Sequence, residues 1–220
     1  MKLTLYHGSP EIVQRPEYGK GKEYNDYGQG FYMTENRGIA EEWAVSAGTS
    51  GFVNEYTIET DDLNVLDLGS EEYNILHWLA LLIDNRRFRM STPLMAEAKN
   101  WLLDNYLTDL GFYDAVKGYR ADNSYFAFAR AFLNNSITLE QLSLAMKLGK
   151  LGEQFVLKSR FAFDVLEYRG YEIVNNAEYY PKRKARDEQA RKAYQEMLEG
   201  NKDGLYIRDL MRGGAGNESL

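Results

Sequence analysis

The chain has 220 residues, of which 44% are hydrophobic and 27% charged, values typical of a soluble globular protein built around one ordinary domain. It contains no cysteine and two histidines, which excludes disulfides, thiolate metal sites and cysteine nucleophiles, and we expect no bound metal. The net charge of −7 repels phosphate backbones, so nucleic acid is not the partner that we expect.

The N-terminus alternates at once between apolar and polar residues and lacks the long apolar region of a signal peptide. Nowhere does the chain contain the roughly eighteen consecutive apolar residues that a membrane span needs. These features predict a cytoplasmic protein that does not enter the membrane, and export without a cleaved signal stays open.

The first part of the chain predicts two short strands separated by a long loop. Residues 2–6 alternate as a strand, and the turn residues 7–10 end it. Residues 11–30 are polar and Gly-rich, and an irregular segment of that length usually has a function. The apolar run 31–34 follows, and Thr34 is expected to cap a helix. Three apolar residues mark the core face of that helix: Ile39, Trp43 and Ala47.

The middle of the chain mixes strands and helices without a regular βαβ order. Strands are predicted at 52–60 (half-buried), 64–68, 113–118, 154–158 and 171–175. Helices are predicted at 71–84, 93–107, 124–133 and 139–148, the last of them capped by Thr138. This order favours the α+β class over a doubly wound α/β fold.

Beyond residue 176 the composition changes. Residues 181–199 are highly charged and predict an exposed helix, whose few apolar points are Ala185, Ala190, Ala193 and Leu198. Its basic run, 182–186 with 191–192, is interpreted as a solvated face, with docking to a protein or RNA target as the alternative. A flexible end is expected at 213–217. We therefore predict a domain over residues 1–178 and a charged helical C-terminal extension over 179–220.

Two segments carry the strongest functional signal. The first is Leu-Tyr-His-Gly-Ser at 5–9, and the second is Tyr-Gly-Gln-Gly-Phe-Tyr-Met-Thr at 27–34. In this order and spacing they resemble the ADP-ribosyltransferase group of the poly-ADP-ribose polymerase and diphtheria-toxin kind, the His-Tyr branch. More closely, they resemble a bacterial domain-of-unknown-function family numbered 3990. The resemblance is strong over residues 3–46 and continues weakly through 118–122 and 154–156.

The resemblance implies a split, two-sheet core, with inserted helices over 70–107 and 124–150 and the charged C-terminal helix appended. It also implies NAD as the substrate and mono-ADP-ribosyl transfer to a macromolecular acceptor, for which we favour a protein. The bond that breaks joins nicotinamide to ribose, and its transition state is close to an oxocarbenium ion, so fixing the ring and stabilising its charge are the main tasks. Proteins of this group often act as toxins or effectors, and a toxin would have a neutralising partner protein.

Within the first two segments, the resemblance assigns catalytic roles to His7 and Tyr32. His7 corresponds to a histidine that hydrogen-bonds an adenine-side ribose hydroxyl, and Tyr32 to a tyrosine that stacks on the nicotinamide ring. Four further residues are expected to bind NAD beside them: Gly8, Ser9, Gly30 and Thr34. Gly8 would let its backbone approach the nicotinamide amide closely, because it has no side chain.

The third catalytic position of the group is a Glu at the start of a late strand. The matching residue here is Gln154, which can hold a ribose hydroxyl but carries no charge. Glu153 is its neighbour, and adjacent strand residues face opposite ways, so both cannot point into one cleft unless the strand is bulged. Gln154 is the preferred assignment, and Glu153 stays the alternative.

Two other functions remain open. One is NAD hydrolysis with water as the acceptor, and the other is a catalytically inactive module that binds NAD or a protein. Asp26, Arg120 and Asp122 are interpreted as solvated or salt-bridged, and His77 as a partly buried structural histidine. The acceptor residue and the oligomeric state are left open by the sequence.

Overall fold

A computed structural model describes residues 1–121, 123–147, 152–200 and 203–213, and it has an α+β fold with two separate sheets. The strands are β1 (Lys2–Ser9), β2 (Phe31–Met33), β3 (Gly51–Glu59), β4 (Val65–Asp67), β5 (Ala115–Tyr119), β6 (Glu153–Leu157) and β7 (Glu167–Val174). The helices are α1 (Arg37–Ala44), α2 (Ile75–Asn85), α3 (Pro93–Tyr106), α4 (Asn123–Leu133), α5 (Leu139–Lys147), α6 (Arg160–Asp164), α7 (Asn176–Glu199) and α8 (Ile207–Gly213). The α+β prediction is thereby confirmed.

The two sheets meet where β1 passes β2. The three-stranded sheet has the order β1-β3-β7, and the four-stranded sheet has the order β2-β6-β5-β4, in which only the β4–β5 pair is parallel. Tyr6 and Thr34 join the sheets by two backbone hydrogen bonds of 2.8 and 3.0 Å. This junction places the end of β1 beside the start of β2, so the two sequence segments that carry the functional signal are neighbours.

The largest hydrophobic core lies among the helices and includes the C-terminal segment. Trp78 and Phe132 are almost completely buried there, as are Ile207 of α8 and Ala190 of α7. A second core fills the space between the sheets, and it contains Leu5, Met33, Tyr56 and Phe155. The division at residue 178 stays a prediction, and residues beyond it pack into the same core as α2 to α5. Among the described residues, no helix combines the length and apolar character needed to cross a membrane.

Several predicted boundaries were wrong near the N-terminus. The first strand does not end at Tyr6 but continues to Ser9, because residues 7–9 pair with 52–54 of β3. Thr34 is not the N-cap of α1, since Asn36 Oδ1 accepts the hydrogen bond from the Ile39 amide at 3.2 Å. The helix ends at Ala44, so Ala47 lies outside it and is exposed. These differences arise from pairing with distant strands, which the local pattern does not contain.

The remaining elements were predicted more closely. Thr138 does cap α5, because its Oγ1 accepts from the Gln141 amide at 3.1 Å. The last strand begins at Glu167, four residues earlier than expected, and α6 and α8 were not predicted. The strand β3 has buried residues on both faces instead of one. Leu148, Asp122 and the predicted flexible end beyond Gly213 lie outside the described residues.

Candidate functional site

A cleft of about 1130 Å³ opens where the two sheets meet. Its walls come from the loop before β2, the end of α1, the ends of β1, β2 and β6, and one face of α7. Five of the residues predicted to bind NAD or to act on it line this cleft: His7, Gly8, Gly30, Tyr32 and Gln154. The fold therefore brings residues that are more than a hundred positions apart into one site.

His7 is held in one tautomer at the end of β1. Its Nδ1 lies 2.7 Å from the backbone oxygen of Tyr32, and a carbonyl oxygen can only accept, so Nδ1 carries the proton. Burial lowers the pKa of His7 from its ordinary value, although this hydrogen bond works in the opposite direction. The ring packs on Phe31 with 4.4 Å between the ring centroids. His7 is thus a neutral imidazole whose Nε2 is left as a hydrogen-bond acceptor.

Tyr32 is fixed by both hydrogen bonds of its hydroxyl. The hydroxyl donates to the Gly28 oxygen at 2.6 Å and accepts from the Tyr27 amide at 3.0 Å. Burial raises the pKa of Tyr32 far above its ordinary value, so the hydroxyl stays protonated. With the hydroxyl engaged in the loop, the ring is the part of Tyr32 that remains to contact a ligand.

Gln154 reaches the cleft from β6 and is 4% exposed. Its Nε2 donates to Asp26 Oδ2 at 2.8 Å and to the Tyr119 oxygen at 3.4 Å. Both partners are acceptors, so the amide orientation is set by them and the NH₂ group must face them. The amide oxygen Oε1 is then the atom of Gln154 that can accept a hydrogen bond from a ligand.

Glu153 takes the opposite side of β6. Its carboxylate lies 3.2 Å from Lys117 Nζ, its side chain is 40% exposed, and it borders a separate small pocket of about 90 Å³. The alternation of side chains along a strand accounts for this difference. Of the two candidates for the third catalytic position, Gln154 is the one whose side chain lines the main cleft.

Asp26 is a part of the site that the sequence interpretation missed as a functional residue. Its carboxylate, 5% exposed, accepts from Arg86 Nε, from the Ala121 amide and from Gln154 Nε2, each at 2.8 Å. Arg86 also donates to the backbone oxygen of Ala121. The expectation that Asp26 is salt-bridged is confirmed, and its further effect is to hold Gln154 in place. Its position directly before the 27–34 segment was the only sequence signal.

Two glycines of the predicted site are required by packing. A Cβ on Gly8 would lie 1.9 Å from the Ala40 oxygen of α1, and a Cβ on Gly30 would lie 2.6 Å from the Leu157 oxygen of β6. Backbone atoms cannot move aside cheaply, so neither position has room for a side chain. Gly8 allows α1 to lie directly on β1, and Gly30 allows the loop to lie on β6.

Ser9 and Thr34 do not line the cleft. The Ser9 hydroxyl donates to the Glu11 oxygen and accepts from Asn54 Nδ2 at 3.2 Å. Thr34 is 1% exposed, borders the small pocket, and accepts from the Asn36 amide at 3.1 Å. Both hydroxyls are engaged by neighbouring groups of the protein, so the geometry gives no support to their predicted contact with NAD.

Lys158 ties the loop before β2 to the end of β6. Its Nζ donates to the backbone oxygens of Tyr27 and Gln29 at 2.5 and 2.6 Å. Desolvation lowers the pKa of Lys158 to about 8. This pair of hydrogen bonds fixes the segment that carries Gly28, on whose oxygen the Tyr32 hydroxyl depends.

Most of the basic run of α7 is exposed, as the sequence predicts for a solvated face, and part of it also lines the cleft. The basic side chains of the lining outnumber the acidic ones. The basic ones are Lys20, Lys22, Arg86, Arg120, Arg183, Lys184, Arg186 and Arg191, and the acidic ones are Glu17, Asp26, Glu42 and Asp187. A chain with a net charge of −7 therefore has a cleft with an excess of cations.

Two further residues singled out in the sequence have structural partners. The Arg120 guanidinium lies over the Trp43 ring, 4.2 Å from its centroid. His77 is half-buried and belongs to the capping box of α2 with Asn74, which confirms the interpretation of a structural histidine.

Comparison with known families supplies one match. The model of a family described as a protein of unknown function, DUF3990, matches residues 3–168. No curated protein and no solved structure matches the chain. The matched span contains His7, Tyr32, Asp26 and Gln154, and it ends before α7 and α8 begin.

Proposed function

The chain belongs to the DUF3990 family of proteins of unknown function, and from the cleft that it carries we propose that it binds NAD and transfers ADP-ribose to a macromolecular acceptor. One observation carries this proposal: the His7 imidazole, the Tyr32 ring and the Gln154 amide line a single cleft at the junction of two sheets. The cleft volume of about 1130 Å³ lies slightly above the ~300–1000 Å³ of ordinary small-molecule sites, which suits an extended dinucleotide.

Each of the three side chains has an atom or face suited to one part of NAD. His7 Nε2 accepts a hydroxyl of the adenosine ribose, because Nδ1 is occupied by the Tyr32 oxygen. The Tyr32 ring stacks on nicotinamide. Gln154 Oε1 accepts a hydroxyl of the nicotinamide ribose, because Asp26 holds the other end of the amide. Together these contacts fix the reacting ribose in one orientation.

In the proposed reaction, an acceptor nucleophile bonds to C1′ of the nicotinamide ribose as the bond from C1′ to the nicotinamide nitrogen breaks. The electron pair leaves with nicotinamide, which becomes neutral, and the acceptor loses a proton to solvent or to a base of its own. The ribose is cationic in the transition state, so a nearby negative charge would stabilise it. Gln154 supplies only a dipole, and Asp26 is paired with Arg86.

The arrangement of strands is consistent with an ADP-ribosyltransferase-like core as the fold behind this proposal. β1 carries His7 in one sheet, whereas β2 and β6 carry Tyr32 and Gln154 as neighbours in the other. The helices α2 and α3 are inserted between β4 and β5, and α4 and α5 are inserted between β5 and β6. Two sheets with helices inserted in this way support the proposed core.

A second candidate is a module that binds NAD without turning it over. The specific observation in its favour is the charge at the reacting end of the cleft. The neutral amide of Gln154 stands where a carboxylate would stabilise the cation, and the closest carboxylate, Asp26, accepts hydrogen bonds from Arg86. Such a site would bind the dinucleotide but would hardly lower the barrier to breaking its nicotinamide–ribose bond.

The test measures nicotinamide release from NAD labelled in its adenosine part, with purified protein in the presence and absence of a cell lysate. We expect release by the wild type and a loss of roughly tenfold or more in Tyr32→Ala, His7→Ala and Gln154→Ala. Tyr24→Ala and His77→Gln are matched controls, because Tyr24 is 48% exposed and neither residue lines the cleft. Circular dichroism checks that each variant is folded.

The destination of the label separates the candidates. Label on a protein supports transfer, and free ADP-ribose without labelled protein supports NAD hydrolysis. NAD binding by calorimetry without nicotinamide release supports the inactive module. If the wild type neither binds NAD nor releases nicotinamide, the proposed function is wrong.

A further inference from the structure

The helix α7 presents one face to the cleft although it lies beyond the span matched by the family. The residues of this face recur at helical spacing: Tyr180, Arg183, Lys184, Asp187 and Arg191. The same helix packs Ala190 into the main core, so its position across the cleft is fixed by apolar contacts on another face. The helix α7 is therefore held in place as one wall of the cleft.

Arg183 is the residue of this face whose charge is least compensated. Its Nη1 donates to the backbone oxygen of Val45 at 2.9 Å, and among the described residues no carboxylate pairs with it. By contrast, Arg186 pairs with Glu42, and Arg191 with Asp187 at 2.9 Å. The bond to Val45 orients the guanidinium and leaves its other N–H donors for a ligand.

The anchor of Arg183 is close to the end of β1 that carries His7. Val45 follows Ala44, whose backbone nitrogen would lie 2.8 Å from a Cβ on Gly8. Arg183 is thus attached to the helix end that packs directly on the residue after His7. In NAD, the group next to the adenosine ribose is the diphosphate, so a cation beside the His7 end of the cleft faces that group.

We propose that Arg183 of α7, with Lys184 beside it and Lys22 from the loop before β2, forms the subsite for the diphosphate of the dinucleotide. This inference rests on the proposed function. It assigns the binding of the diphosphate to a helix that lies outside the span matched by the family. A guanidinium binds phosphate oxygens through two parallel hydrogen bonds, which an ammonium cannot do. The excess of cations in the cleft of an otherwise acidic chain fits a dianionic ligand and would steer it inward.

The experiment compares ADP-ribose, adenosine and inorganic pyrophosphate by titration calorimetry on the full chain. The wild type is expected to bind ADP-ribose at least roughly tenfold more tightly than adenosine, and pyrophosphate is expected to compete with ADP-ribose. Arg183→Gln should weaken ADP-ribose binding by roughly tenfold, leave adenosine binding unchanged and abolish competition by pyrophosphate. Arg183→Lys should lie between the two, because it keeps the charge and loses the paired donors.

Lys182→Gln is the matched control. Lys182 is next to Arg183, is exposed, pairs with Glu178 at 2.7 Å and does not line the cleft, so its removal should change no affinity. Unchanged ADP-ribose binding in Arg183→Gln would overturn the subsite and leave the proposed function standing. If the wild type binds pyrophosphate through Arg183 but binds neither ADP-ribose nor adenosine, the subsite stands and the proposed function is wrong. Binding of none of the three probes would overturn both.

Discussion

At the scale of single residues, the buried carboxylate of Asp26 connects the stability of the site to its chemistry. Its partners come from three different parts of the chain: the side chain of Arg86 after α2, the Ala121 amide after β5, and Gln154 on β6. The Asp26 side chain is only 5% exposed, so water cannot take the place of these hydrogen bonds. Asp26 is therefore a positioning residue for Gln154 and an anchor for the cleft.

We predict that Asp26→Asn lowers the free energy of unfolding by about 3 kcal/mol, because it leaves the Arg86 cation without its partner in a mostly buried place. The new amide keeps one acceptor oxygen, so it cannot accept from Arg86 on one side and from Gln154 on the other; the hold on Gln154 should loosen and NAD binding should weaken. Urea unfolding followed by circular dichroism and NAD titration measure the two effects.

The control for Asp26→Asn is Asp62→Asn, the same change at an exposed position. It should shift the free energy of unfolding by less than about 0.5 kcal/mol. If Asp26→Asn and Asp62→Asn were equally stable, the carboxylate would not be the anchor that its contacts indicate.

The protonation of His7 gives a prediction for pH. Burial lowers the pKa of His7 below its ordinary value of 6.5, so the unfolded chain binds more protons than the folded one once the pH falls below that value. The stabilising contribution of neutral His7 is complete above pH 6.5 and is lost progressively below it. NAD binding should weaken in the same range, because a protonated Nε2 can no longer accept a hydrogen bond.

Since the chain has two histidines and burial also lowers the pKa of His77, the measurement is made in a His77→Gln background. Gln can replace His77 at the third position of a capping box, so α2 should persist. Urea unfolding between pH 5.5 and 7.5 should show a weaker pH dependence after His7→Gln is added. Parallel profiles for the single and double variants would reject the assignment.

At the scale of elements, the contact between α1 and β1 depends on a glycine. We predict that Gly8→Ala lowers the free energy of unfolding by roughly 2 to 3 kcal/mol, because its Cβ would overlap the Ala40 oxygen at 1.9 Å. Gly38→Ala, in α1 itself, meets only Asn36 Oδ1 at 3.4 Å and should stabilise the protein by about 0.5 to 1 kcal/mol. Urea unfolding measures both variants, and a tolerated Gly8→Ala would show that α1 can move off β1.

The elements also show where local patterns are informative. The helices α2 and α3 and the strand β3 were predicted within a few residues, because their apolar periodicity is long and regular. The end of β1 was not, because residues 7–9 are turn formers that become extended only by pairing with β3. Thr34 has a side chain suited to capping a helix, but its bridge to Tyr6 keeps it extended. The residue that caps α1 is Asn36.

The same limit applies to the site. His7, Tyr32 and Gln154 were predicted through the resemblance of their motif segments, and alternation along the strand explains why Gln154 lines the cleft and Glu153 does not. The roles of Asp26 and α7 could not be predicted, because a charge in a sequence has the same appearance whether it faces solvent or a cleft. The orientation of α7 is seen from its contacts: Ala190 and Tyr194 pack into the main core, and Arg183 bonds to Val45 beside the cleft.

At the scale of the whole molecule, the C-terminal segment closes the largest core. Ile207 of α8 is 0% exposed and Leu210 is 6% exposed, and both belong to the cluster formed by α2 to α5. The Tyr194 ring of α7 stacks on Phe128 with 4.0 Å between centroids, and the Leu139 amide donates to the Leu205 oxygen at 2.8 Å. A core shared in this way predicts that the extension and the family-matched part unfold together.

We predict a single cooperative urea transition whose midpoint moves when Ile207 is truncated, since its side chain lies in the shared core. Ile207→Ala should cost about 3 kcal/mol with an unchanged m-value, because it leaves a cavity among well-packed helices. Ile173→Ala is the matched control, as Ile173 is 74% exposed on β7 and should change stability by less than about 1 kcal/mol. Circular dichroism follows the helices, and tryptophan fluorescence follows Trp78 and Trp101 at the main core and Trp43 at the cleft. If Ile207→Ala instead produced an early separate transition while the fluorescence midpoint stayed at the wild-type value, residues 179–220 would be an independent unit and α7 could not be a fixed wall of the cleft.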